Sequence, residues 1–173
     1  MPRRLEPNHP LRLMFAGLVE QVFMSELGIA DTRLTAYLAE VLSEFIHMDQ
    51  IFRMRAIDGQ AIRDISRVEA DAFLGPDGDT RLRRRIVHQY IGDFTLFWIG
   101  VYPESLRPRL AGVDRLNEYL LQGKRGYGIA SELEDPELDP PSEVLRQLSE
   151  EFESCVHGLR LVRGCWENAD NSN

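Results

Sequence analysis

From Arg81 to Tyr102 the chain reads RLRRRIVHQYIGDFTLFWIGVY, and its apolar residues recur with a helical period. Ile86, Val87, Tyr90, Ile91, Phe94, Phe97, Trp98 and Val101 keep to i, i+3/i+4 spacing. At about 100° per residue this gathers them into one stripe roughly 140° wide. The same wealth of Ile, Val, Tyr, Phe and Trp would suit a strand. Leu96-Phe97-Trp98-Ile99, however, would point apolar groups to both faces of a sheet. In a helix, Leu96 and Ile99 make the last two turns apolar all round, so that half is expected to be buried on every side. Asp77 or Asp79 suits the N-cap, Arg83 to Arg85 are expected on the solvated first turns, and Tyr102-Pro103 ends the helix.

Similar periodicity places helices on either side. Asn8-His9-Pro10 opens one whose buried face is Leu11, Met14, Phe15, Leu18, Val19, Val22 and Phe23, with Gly28 at its C′ position. Asp31 caps a second, running to about Met54 on Leu34, Leu38, Val41, Leu42, Phe45, Met48 and Phe52. A shorter third carries Ile62, Ile65, Val68, Ala72 and Phe73, and Gly75-Pro76-Asp77-Gly78 stops it. After the central helix, Pro103 to Gly112 reads as an irregular bridge with one short turn at Glu104 to Leu106. A fifth helix begins near Asp114, with Leu116, Tyr119, Leu120, Tyr127 and Ala130 on one side. Residues 131–141, SELEDPELDPP, form an acidic loop. The last helix runs from about Ser142 to Trp166 along Val144, Leu148, Phe152, Cys155, Val156, Leu159, Val162 and Trp166. No segment is a convincing strand, and no repeat of fixed period occurs. The expected fold is all-α: a single-domain antiparallel bundle of about six helices over residues 8–167, packed around a central hydrophobic helix at about 80–101. Residues 1–7 and 168–173 are expected to be flexible tails.

Composition narrows the class of protein. With 173 residues, 43% hydrophobic and 28% charged, the chain can bury one core. No apolar run reaches the ~18 residues of a membrane span. MPRRLEPNHP has no apolar h-region behind its arginines and is not read as a secretory signal. Cys155 and Cys165, on one predicted helix, would stand about 15 Å apart along its axis, beyond disulfide reach. A reducing, cytoplasmic location follows as the expectation. A net charge of −8 argues against nucleic acid as the default partner. The cations are arginines save for Lys124, which reads as a compositional bias. Only Arg81, Arg83, Arg84 and Arg85 cluster in sequence, and successive helix positions fan around the axis. Contact with nucleic acid through them is the weakest functional reading.

Motifs for catalysis are few. One Glu-x-x-His occurs, Glu44 to His47, but the matching pair of a di-iron bundle does not, since Glu153 and His157 are spaced by four. Both sets turn away from their apolar stripes, so no metal and no cofactor are expected. Gly-x-Ser-x-Gly and His-Glu-x-x-His are absent, and the cysteines sit in an apolar pattern where inert thiols are usual. Gly123-Lys124-Arg125-Gly126-Tyr127-Gly128 lacks the spacing and the preceding strand of a P-loop. Close helix packing at Gly123 is its main reading; an anion contact or a plain turn are the alternatives.

Two carboxylates are out of place. Asp93 borders the central stripe, and Asp49 falls between Phe45 and Phe52 on the stripe of the second helix. A carboxylate in apolar surroundings is costly unless paired, and burial raises its pKa. Either an arginine (Arg53, Arg55 or Arg125) or a tyrosine satisfies each as a structural partner, or Asp49, Asp93, Tyr90, Lys124, Arg125 and Tyr127 line one ligand pocket. The leading functional expectation is association without catalysis, as a homo-oligomer or an adaptor for a protein partner. Its motive is the set of large apolar residues off the stripes: Leu13, Phe23, Ile46, Leu96 and Ile99. A small-molecule binder or enzyme using the pocket around Asp93, Asp49 and Lys124-Arg125 is the alternative.

Overall fold

A computed structural model describes residues 5–53, 81–105 and 113–172, with side chains described throughout except at 48–53, 105 and 113–115. These residues form six α-helices: α1 (Pro10–Leu27), α2 (Thr32–Arg53), α3 (Arg81–Val101), α4 (Val113–Glu132), α5 (Ser142–Glu150) and α6 (Phe152–Asn171). A 3-10 turn, Pro103–Ser105, follows α3. Among the described residues there is no strand. The architecture is an all-helical bundle, as the periodicity predicts. The helix expected over Ile62 to Phe73, and the N-cap at Asp77 or Asp79, lie outside the described residues.

Local signals set the helix ends. His9 Nδ1 accepts a hydrogen bond from the Leu11 amide at 3.2 Å with Pro10 opening α1, and Gly28 closes it at φ +67°. That left-handed conformation carries no steric penalty for glycine. Asp31 Oδ1 accepts from the amides of Arg33, at 2.9 Å, and Leu34, at 3.4 Å, which satisfies two free donors at the start of α2. At the far end of α3, Arg163 donates through Nη1 to the Val101 carbonyl and lies 5.0 Å from the Tyr102 ring centre. A cation placed on a helix C-terminus is favourable.

α3 packs against α2, α4 and α6, while α1 packs on α2 and α6. Its second half is largely enclosed: Leu96, Phe97 and Val101 are fully buried, Ile99 nearly so, and Trp98 partly. Phe97 stacks on Phe45 at 5.1 Å and meets Trp98 edge-on at 5.4 Å. The aromatic stripe thus joins α2 to α3.

Two expectations are corrected. The single last helix is two, parted at Glu151 (φ −106°, ψ 26°). α5 packs on α4, whereas α6 packs on α1 and α3. One straight rod cannot follow both partners, and the kink lets Phe152 turn inward. The second correction concerns Arg85, expected on a wet turn: its side chain is completely buried.

The α3–α4 seam is built on small residues. A Cβ on Gly92 would stand 2.6 Å from the Tyr127 ring, and one on Gly123 2.6 Å from Thr95 Cγ2. One on Gly126 would stand 2.7 Å from the His88 carbonyl oxygen. Glycine lets the two backbones approach at the level of Asp93, the neighbour of Gly92. Helix propensity loses about 1 kcal/mol at each interior glycine, yet α4 runs unbroken through Gly123-Lys124-Arg125-Gly126-Tyr127-Gly128. Packing against α3 outweighs that loss.

Candidate functional site: a carboxyl held by two tyrosines

Three helices meet at Asp93. From α2, Tyr37 donates its hydroxyl to Asp93 Oδ1 at 2.5 Å; from α4, Tyr127 donates to the same oxygen at 2.7 Å. Gln89, one turn before Asp93 on α3, donates through Nε2 to the Tyr37 hydroxyl at 3.1 Å and so fixes its orientation. Both tyrosines are buried, with Tyr127 fully enclosed between Gly92 and Phe152. Oδ2 of Asp93 takes no hydrogen bond from the described residues, and the aspartate as a whole is half-buried.

Electrostatics follow from this enclosure. Loss of water raises the Asp93 pKa, the two tyrosine hydrogen bonds oppose the rise, and the Glu44 and Glu40 carboxylates add to it. The balance lies at about 7, against 3.8 for an ordinary aspartate. Burial, then the adjacent Asp93 charge, push the hydroxyls of Tyr37 and Tyr127 well above their ordinary range, so both remain donors. Because both bonds end on Oδ1, a proton can join or leave Oδ2 without breaking either. Chemically this is a fixed acid–base group whose titration is centred near neutral pH.

Tyr37 also lines a groove of about 470 Å³, together with Leu5, Arg12, Arg33, Glu40 and Pro140. Arg12 reaches Glu40 at 3.5 Å, and Arg33 reaches Glu143 at 3.3 Å. That volume is within the range of small-molecule sites.

Of the six residues read from the sequence as one pocket, Asp93 and Tyr127 meet. Tyr90 stacks on Phe45 and packs at a tilt against Phe94 instead. Lys124 points outward to Glu153, at 3.0 and 3.1 Å from its two oxygens, and Arg125 is exposed. The side chain of Asp49 lies outside the described residues. Tyr37 was missed. Its signal is the spacing Tyr37, Glu40, Glu44, a polar line along one flank of α2. Of the sequence-clustered arginines, Arg85 is buried, so the four do not present one basic face. Glu153 and His157 face solvent, and no group of three metal-ligating side chains occurs among the described residues. The Cys155 thiol is buried and pushed up to about 12 by loss of water and by Glu151 and Glu153, which makes it a poor nucleophile.

Tyr127→Phe tests the clamp. Removing a bond that favours the carboxylate is expected to move the Asp93 pKa above its wild-type value, and to cost about 1.5 kcal/mol of stability. Titration of the Asp93 carboxyl carbon by NMR reads the first effect and urea unfolding the second. An unchanged titration would mean that Tyr127 does not act on the acid.

Among the described residues no helix is long and apolar enough to cross a membrane. No protein-family model, curated protein or solved structure matches this chain.

Proposed function

We propose that the chain binds a small polar molecule in the groove over Tyr37, with Asp93 behind that tyrosine holding or releasing a proton. The observation that carries this reading is the acid itself. An asparagine at 93 would accept both tyrosine bonds through its amide oxygen with no charge to desolvate. A structural clamp has no need of a carboxyl there. Residues kept at a cost to stability are a mark of functional sites. Tyr37 joins the two features: it lines the groove, and its hydroxyl is on Asp93.

An NMR screen of small polar compounds against the amides of Arg33, Ala36 and Tyr37 tests it. Hits are expected to shift those amides, to change affinity between pH 6 and pH 8, and to be lost in Ala36→Trp, which fills the groove from its lining. A screen whose hits all lie elsewhere, or persist in Ala36→Trp, would refute the reading.

Association is a second reading, now resting on α1. Phe23, Ile46, Leu96 and Ile99 are buried within the chain, which leaves Leu13 of the five off-stripe residues exposed. Met14, expected on the buried face of α1, is exposed as well, and so is Met24, so α1 holds three of the five exposed large apolar side chains among the described residues. Gly17 lies in open space between them. Leu13, Gly17 and Met24 share one arc, with Glu20 its one nearby charge, which suits self-pairing with a second copy across a two-fold axis. Three side chains fall well short of the ~800 Å² per partner of a stable interface, so the dimer would be weak. Sedimentation at rising concentration is expected to show dimer that Leu13→Glu abolishes; a strict monomer at millimolar concentration removes this reading.

A further inference from the structure

We propose that Arg85 is a positioning residue that holds the wall of the Tyr37 groove, by gripping the acidic segment after α4 from behind. The guanidinium donates through Nη1 to the Asp135 carbonyl at 3.1 Å and through Nη2 to the Pro140 carbonyl at 2.5 Å. Asp139, Pro140 and Pro141 line the groove, whereas the buried Arg85 does not.

The need for such a grip is legible in the chain. Pro140 and Pro141 have no amide hydrogen, so 139–141 cannot build a backbone ladder of its own. The amides of Val144 and Leu145 satisfy the Pro141 carbonyl, while the Pro140 carbonyl takes its donor from Arg85. Arginine presents two donors in a fixed fork, which matches two carbonyls five residues apart in sequence. The burial is complete, and among the described residues Arg85 forms no ion pair; its Nε has no hydrogen-bond partner. A buried charge balanced by two carbonyls alone is costly. Holding an apolar core together would be better served by methionine or leucine, which incur no such cost. The grip on the 135–140 segment is what the charge achieves.

Its effect on ligand binding rests on the groove being the ligand site; its effect on the segment does not. Hydrogen exchange on the full chain therefore separates the two. In Arg85→Ala the amides of Glu137 and Leu138, bonded within the segment to Asp135 Oδ1 and the Asp135 carbonyl, are expected to exchange at least ~tenfold faster, a local opening. Amides of α3 and α6 should keep their wild-type rates. Guanidinium ion at low millimolar concentration, filling the vacated space, should restore protection, whereas the same concentration of ammonium should not. Compounds that bind the groove should lose affinity at least fivefold in Arg85→Ala and regain it with guanidinium. Unchanged exchange at 137 and 138, or equal acceleration throughout the chain, overturns the proposal. If Arg85→Ala does not fold, Arg85→Lys gives the same reading: faster exchange confined to the segment supports the grip, and uniform acceleration refutes it. Should the groove take no compound while the segment opens and is rescued, the ligand reading fails and the grip stands.

Discussion

Replacing Gly126 with valine is expected to lower stability by about 3 kcal/mol, the upper part of the range for overpacking. The cause is backbone meeting backbone. The added Cβ would lie 2.7 Å from the His88 carbonyl oxygen and 3.2 Å from the Gly92 nitrogen, with Ile91 Cγ2 at 3.3 Å. A flexible side chain could swing aside, but a carbonyl inside α3 cannot move without its helix. Relief requires α3 and α4 to part, which would draw the Tyr127 hydroxyl from Asp93 and expose part of the seam around Tyr127. Gly17→Ala is the control. That glycine has nothing within 4 Å of its would-be Cβ, so only helix propensity changes, and the variant should gain about 0.5–1 kcal/mol. Urea unfolding of both variants measures the pair. A loss below about 0.5 kcal/mol for Gly126→Val would show that the helices are not held at this distance by their glycines.

Asp93→Asn is expected to remove a pH dependence worth about 2.5 kcal/mol between pH 5 and pH 8. The acid titrates near 3.8 when unfolded and at about 7 when folded. Between these values the folded chain binds the extra proton, so the contribution is full below pH 4 and disappears as pH rises through 7. At pH 8 the wild type holds a poorly solvated charge. The asparagine variant holds none and keeps an oxygen for Tyr37 and Tyr127, so it should equal or exceed the wild type there. At pH 5 the ordering reverses or closes. Denaturant unfolding of both proteins at the two pH values isolates the group, since the other carboxylates are common to both. Parallel pH profiles would show that Asp93 is an ordinary surface carboxylate, and the functional reading would fall with it.

The site was half legible. Asp93 stood out because an ionisable residue beside an aromatic stripe breaks the pattern around it, and Tyr127 because it lay on the apolar side of a glycine-rich helix. Lys124 and Arg125 were drawn into the same pocket only by adjacency. Consecutive helical positions diverge by about 100°, and in the structure Tyr127 turns inward while Lys124 reaches Glu153 and Arg125 stays in solvent. Tyr37 and Arg85 are long side chains whose partners lie 56 and 55 positions away, at Asp93 and Pro140. No local period encodes such a meeting.

By itself, the order of residues determined which of the described segments coil, where α1 and α2 are capped, and most of the face that each helix turns inward, because these depend on neighbours within one or two turns. Tertiary structure alone decided that the last helix kinks at Glu151, that Arg85 goes inside, and that two hydroxyls converge on one oxygen of Asp93. Those outcomes depend on how closely separate helices approach, and that distance is set where glycines of α3 and α4 meet, a contact between segments far apart in the chain.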